Sequence, residues 1–126
     1  MTDPVLRFPR WIGVVCSDLQ AQRNFYCATL GLREIASGDD WLQLDLGNGV
    51  TFELLARSSA PQYDRPRYQV GFDVADIATA REELIARGVE PITDVIESSD
   101  NASRWAYFRD PEGNVFEITQ RDSGST

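Results

Sequence analysis

Histidine and lysine are both absent from this chain, and all 12 basic residues are arginine. That excludes a Ser-His-Asp or Cys-His nucleophile, a Schiff-base lysine, a Walker A phosphate loop and any histidine-ligated metal. Acid–base chemistry is left to Asp, Glu, Tyr, Cys or water. Cysteine is scarce too. Cys16 and Cys27 stand alone, in neither a CxxC pair nor a zinc spacing. Both are expected to be reduced, with Cys16 facing the core, Cys27 on the first helix and neither beside an activating base. Residues Met1 to Arg10 lack an apolar signal core, and no run approaches the roughly 18 apolar residues that span a bilayer. The expectation is a soluble, cytoplasmic protein.

Set against those 12 arginines are 20 carboxylates, a formal charge of −8. Such a field opposes nucleic acid and anionic membranes as partners and draws cations. The 126 residues, 42% hydrophobic and 25% charged, suit one globular domain or two small halves sharing a core.

The chain repeats itself. Gly13 and Asp18 match Gly71 and Asp76 at an offset of 58, and Gly31 matches Gly88 at 57. Gly49, Phe52, Glu53 and Arg57 match Gly113, Phe116, Glu117 and Arg121 at 64. Each half opens on an apolar strand and continues into a helix with Asp18 or Asp76 as its N-cap. Leu19, Phe25, Tyr26 and Leu30 are the apolar positions of the first helix; Ile77, Ala80, Leu84 and Ile85 form one face of the second, which Gly88 ends. Three strands follow, including a hairpin of Arg104–Arg109 and Asn114–Gln120 across a turn at Asp110 and Pro111. The order is β-α-β-β-β, twice. Module one covers about 9–57, a polar linker 58–67 and module two about 68–121, and the tail from Asp122 is expected to fray.

Period-two alternation sorts the strand residues onto two faces. Ile12, Val14, Leu42, Leu44, Phe52, Leu54, Val70, Phe72, Val74, Phe116 and Ile118 fall on the helix-covered face. Trp11, Trp41, Gln43, Asp45, Glu53, Gln69, Asp73, Trp105, Tyr107 and Glu117 fall on the other. Indoles interleaved with carboxylates and amides suit a concave pocket that stacks on a flat ligand and hydrogen-bonds its edges. Plain packing is the competing reading for each tryptophan, and solvent exposure for each glutamate. Arg57, Arg104 and Arg109 are the candidate neutralisers of those carboxylates.

The stretches Asp18-Leu-Gln-Ala-Gln-Arg-Asn-Phe-Tyr26, Leu30-Gly-Leu32 and Phe108-Arg-Asp-Pro-Glu-Gly-Asn-Val-Phe-Glu-Ile118 resemble the vicinal oxygen chelate superfamily, which comprises glyoxalases, bleomycin-resistance proteins and extradiol dioxygenases. The resemblance implies an α+β fold in which two βαβββ modules curl mixed sheets into a cup, commonly completed in a homodimer. It also implies that four strand positions hold a divalent metal in the enzymes of the group. Here these are Trp11, Glu53, Gln69 and Glu117. An indole cannot coordinate, and an amide oxygen is a weak donor. Glu53, Gln69 and Glu117 remain as a set that would take Mg or Mn. The leading expectation is therefore a binding protein without cofactor, of the bleomycin-resistance (antibiotic-resistance) type. Trp11, Trp41, Trp105 and Tyr107 would stack on a planar or cationic drug or metabolite, at ~2 kcal/mol for each desolvated cation–π contact. Gln43, Glu53, Gln69, Asp73 and Glu117 would meet its polar edge. The alternative is a Mg- or Mn-dependent lyase, isomerase or dioxygenase-like enzyme, with a metal-free acid–base enzyme behind it.

Overall fold

The computed structural model describes residues 4–57, 68–100, 102–109 and 111–122. The linker at 58–67, the turn residue Asp110 and the tail 123–126 lie outside them. Contacts divide the chain into two compact units, Trp11–Gln69 and Met1–Arg10 with Val70–Thr126. We call them the first and second modules.

In the first, β1 (Pro9–Cys16) leads through Asp18 into α1 (Leu19–Arg23). Asp18 Oδ1 accepts from the Ala21 amide at 3.0 Å, the N-cap bond expected of a short acidic side chain. The helix does not continue as a regular α-helix to Gly31. Asn24–Thr29 widens into a π-helical turn, marked by the Leu30 amide reaching the Phe25 carbonyl five residues back at 2.9 Å. The extra residue per turn rotates the inward stripe. Leu19, Tyr26 and Cys27 pack on the core, while Phe25 and Leu30 are exposed. The sheet runs β2 (Arg33–Ser37), β3 (Trp41–Gly47), β4 (Val50–Ala56), β1, with β4 antiparallel to β3 and parallel to β1. Val14, Cys16, Leu42, Leu44, Phe52 and Leu54 form its buried core.

The second module repeats the plan. Strand β5 (Tyr68–Asp73) is followed by α2 (Ile77–Ala86), whose N-cap Asp76 accepts from the Thr79 amide at 3.1 Å. Gly88, at φ 87°, adopts the left-handed conformation that ends it. Strands β8 (Ser103–Arg109) and β9 (Val115–Arg121) pair antiparallel, and β9 runs parallel to β5. The remaining strand is reduced to two short pieces on β8, β6 (Glu90–Pro91) and β7 (Ile96–Glu97). Pro91, without an N–H to donate, fits the end of such a ladder. Ile77, Ala80 and Leu84 of α2 close over Val74, Ala106, Phe108 and Ile118. The fold is thus α+β with mixed, open sheets and the β-α-β-β-β order in both modules. No helix among the described residues is long and apolar enough to cross a membrane.

The offsets of the repeat acquire a physical meaning in this register. Gly13 of β1 lies opposite Glu53 of β4, and Gly71 of β5 lies opposite Glu117 of β9. Each module therefore sets a glycine beside a glutamate where its first and last strands run parallel.

Candidate functional site

In the first module the face away from α1 carries Trp11, Gly13, Trp41, Gln43, Asp45, Thr51 and Glu53, as alternation predicts. Trp11 is 8% exposed and folds back along its own strand. A Cβ placed on Gly13 would fall 2.2 Å from the Trp11 Cη2 atom, so glycine is required for the ring to lie there. From this seat the indole Nε1–H donates to Glu53 Oε1 at 2.7 Å, and Gln43 Nε2 donates to the same oxygen at 3.4 Å. Trp41 has a glycine seat too. Its ring lies against Gly38, where a Cβ would meet Nε1 at 2.2 Å, and it is half-buried. Asp45 accepts from Arg33 at 2.6 Å and from the Gly47 amide at 2.8 Å. The Gly47 bond, then the Arg33 bond, holds its carboxyl below the ordinary aspartate range.

In the second module the corresponding face carries Gly71, Asp73, Trp105, Tyr107, Glu117, Thr119 and Arg121. Asp73, Tyr107, Glu117 and Thr119 are buried, and Trp105 is half-buried. Asp73 is 2% exposed and its two oxygens are held by different arginines. Arg7 Nε donates to Oδ2 and Arg10 Nε to Oδ1, both at 2.6 Å. The N-terminal segment is brought to this place by backbone pairing: the Arg7 amide donates to the Asp73 carbonyl, and the Asp73 amide to the Phe8 carbonyl, both at 2.9 Å. The Phe8 ring lies under the Arg10 guanidinium at 4.9 Å. Arg121 feels the same surroundings: burial, then repulsion from Arg10, lowers its pKa against the attraction of Glu117 and Asp73.

These contacts add partners that sequence reasoning did not assign. Asp73, expected to accept from a ligand, accepts from Arg7 and Arg10. Arg7 and Arg10 neutralise Asp73, pairings that the sequence reading, which set Arg57, Arg104 and Arg109 against the glutamates, did not include. Arg109 instead pairs with Glu90 at 3.3 Å and donates to the Gly113 carbonyl. Alternation along the strand could have flagged Arg121, which shares the parity of Glu117; nothing local to Arg7 or Arg10 announces that they meet a residue over 60 positions away. Gln69, the remaining candidate, is 2% exposed. Cys16 is buried with its thiol donating to the Leu55 carbonyl at 3.5 Å, and burial pushes its pKa up, so it is no activated nucleophile.

The donors present in the first module do not fit a divalent ion. Trp11 offers Glu53 a hydrogen where a ligand would offer a lone pair. Among the described residues no group of three His, Cys, Asp or Glu side chains is placed to hold a metal. A half-buried ring at Trp41, an amide at Gln43 and a carboxylate at Glu53 share one face.

Solved structures share this architecture. A methylmalonyl-CoA epimerase from Mycobacterium tuberculosis superposes with a TM-score of 0.74 at 18% identity, covering 98% of this chain and 94% of its own. A glyoxalase/bleomycin resistance protein/dioxygenase superfamily member from Vibrio splendidus 12B01 gives 0.64 at 20%, covering 86% and 95%. The Mn(II)-bound glyoxalase from Novosphingobium aromaticivorans gives 0.71 at 15%, where 91% of this chain matches 39% of that one. At these identities the likeness establishes the fold alone. No curated protein sequence matches the chain significantly. The family model headed Glyoxalase/Bleomycin resistance protein/Dioxygenase superfamily matches residues 9–118, and the chain belongs to that superfamily.

Proposed function

We propose that this protein binds a planar small organic molecule, with a preference for cations, on the aromatic and acidic face of its first module and without a divalent metal. Sequestration of a drug or toxic metabolite is the form of this activity we favour. The observation that carries it is the bond from Trp11 Nε1–H to Glu53 Oε1. It joins two positions that the superfamily's enzymes use for a metal. A charge-assisted hydrogen bond of this kind contributes about 1.5–3 kcal/mol and orients the Glu53 carboxylate. Trp41 supplies the stacking surface, and Gln43 and Glu53 supply the polar edge. Two or three such anchors suffice for micromolar binding, about 8 kcal/mol. A homodimer is part of this reading, supported by the exposed Arg33, Glu34, Ile35 and Ser37 along the edge strand β2.

The test is a tryptophan-fluorescence titration of metal-free protein with planar aromatic cations such as acridinium and phenanthridinium dyes. Saturable quenching that Trp41→Ala and Glu53→Gln each weaken about tenfold or more is expected. Binding that appears only after Mg²⁺ or Mn²⁺ is added would favour the metal-dependent enzyme instead. Quenching indifferent to both substitutions would make the aromatic face packing and nothing else.

A further inference from the structure

We propose that Gln43 selects among planar cations on the first-module face, favouring those that carry an N–H over fully alkylated ones, an inference that rests on the binding reading given above. It starts from the Glu53 carboxylate, which accepts hydrogen bonds and has none to donate. Gln43 faces Glu53 across the β3–β4 ladder, and its Nε2 donates to Glu53 Oε1 at 3.4 Å. Turned the other way, the amide would set its carbonyl oxygen against that carboxylate. Repulsion between two acceptors therefore keeps Nε2 toward Glu53 and Oε1 away from it.

That oxygen is left for a ligand. No donor among the described residues reaches Gln43 Oε1. On its other side Gln43 is paired with Ala36 of β2, whose methyl group has nothing to donate. Trp41 stands two residues before Gln43 on the same face, with its ring seated against Gly38. Asp45 stands two residues after it, one oxygen taken by Arg33 and the other by the Gly47 amide. Gln43 thus sets a half-buried carbonyl acceptor next to the stacking ring. A cation stacked on Trp41 and carrying an N–H can donate to this oxygen, and a charged donor makes the stronger bond. A cation of the same ring and charge without an N–H covers the carbonyl and leaves it unpaired, and that difference discriminates between the two.

Isothermal titration calorimetry of metal-free protein compares two cations with one ring system and one charge: 9-aminoacridinium, which carries N–H groups, and 10-methylacridinium, which carries none. The parent protein is expected to bind 9-aminoacridinium about tenfold more tightly or better. Gln43→Met, similar in length but without the carbonyl, should erase that ratio. It should leave the affinity for 10-methylacridinium within about twofold, which also reports an intact site. Equal affinities in the parent, or a ratio that survives in Gln43→Met, would overturn the selection by Gln43 and leave the binding face standing. Equal loss of both cations in Gln43→Met would make Gln43 a support for Glu53 and overturn it as well. If neither cation binds the parent, the binding reading itself fails and the selection falls with it.

Discussion

The two modules set a carboxylate into the same kind of sheet face and satisfy it by opposite means. Glu53 is met by neutral donors, the Trp11 indole and the Gln43 amide, whereas Asp73 is met by the cations Arg7 and Arg10. A neutral donor orients a carboxylate. Paired guanidiniums cancel the charge and make the group structural. The first module thus joins its carboxylate to an indole and an amide, and the second joins its own to two guanidiniums.

Substitutions can break this contrast, and the largest effect should come from Asp73→Asn. It leaves Arg7 and Arg10 beside a neutral group, and removing one partner of a buried pair costs about 3 kcal/mol or more. Half of Arg7 remains in water, which places the loss at the low end. Urea denaturation measures it. Gly13→Ala should cost about 1–3 kcal/mol, because the added methyl meets the Trp11 ring at 2.2 Å and must displace it from Glu53. The same experiment, with the tryptophan emission spectrum as a second signal, reads both effects. Glu53→Gln should cost under about 1 kcal/mol, since the amide oxygen still accepts from the indole. Parity between Asp73→Asn and Glu53→Gln would erase the contrast.

The smallest effect is one of pH. Bonds from the Gly47 amide and Arg33 lower the Asp45 pKa on folding, as bonds from Thr79 lower that of Asp76. A carboxyl whose pKa is depressed in the folded state adds stability in full above its unfolded value, near 4, and loses it as pH falls through the folded value. The melting temperature should therefore fall below about pH 4, and less steeply in Asp45→Asn than in the parent protein.

Much of this was legible in the sequence because it is local or periodic. Asp18 and Asp76 as caps, Gly88 as a helix stop and the alternation of Trp41–Leu46 depend on neighbours a few residues away. Matching glycines and glutamates revealed the duplication, and their register as neighbours on parallel strands explains why both kinds recur. Illegible were the features set by distant packing. The π-helical turn at Asn24–Thr29 redirects Phe25 and Leu30 outward without any breaker residue inside it. Parity placed Trp11 on the correct face, but its recline over Gly13 is a rotamer choice that spacing does not encode. The clamp on Asp73 joins residues 63 and 66 positions apart.

The proposed metal-free site turns on the Trp11 indole N–H that donates to Glu53. Titration with Mn²⁺, following the free ion by electron paramagnetic resonance, tests it most directly. The parent chain should leave Mn²⁺ in solution at about 100 μM, some 5–6 kcal/mol of binding or less, whereas Trp11→His, which replaces the donor with a ligand, should begin to retain it. Stoichiometric, micromolar uptake by the parent chain would contradict the account.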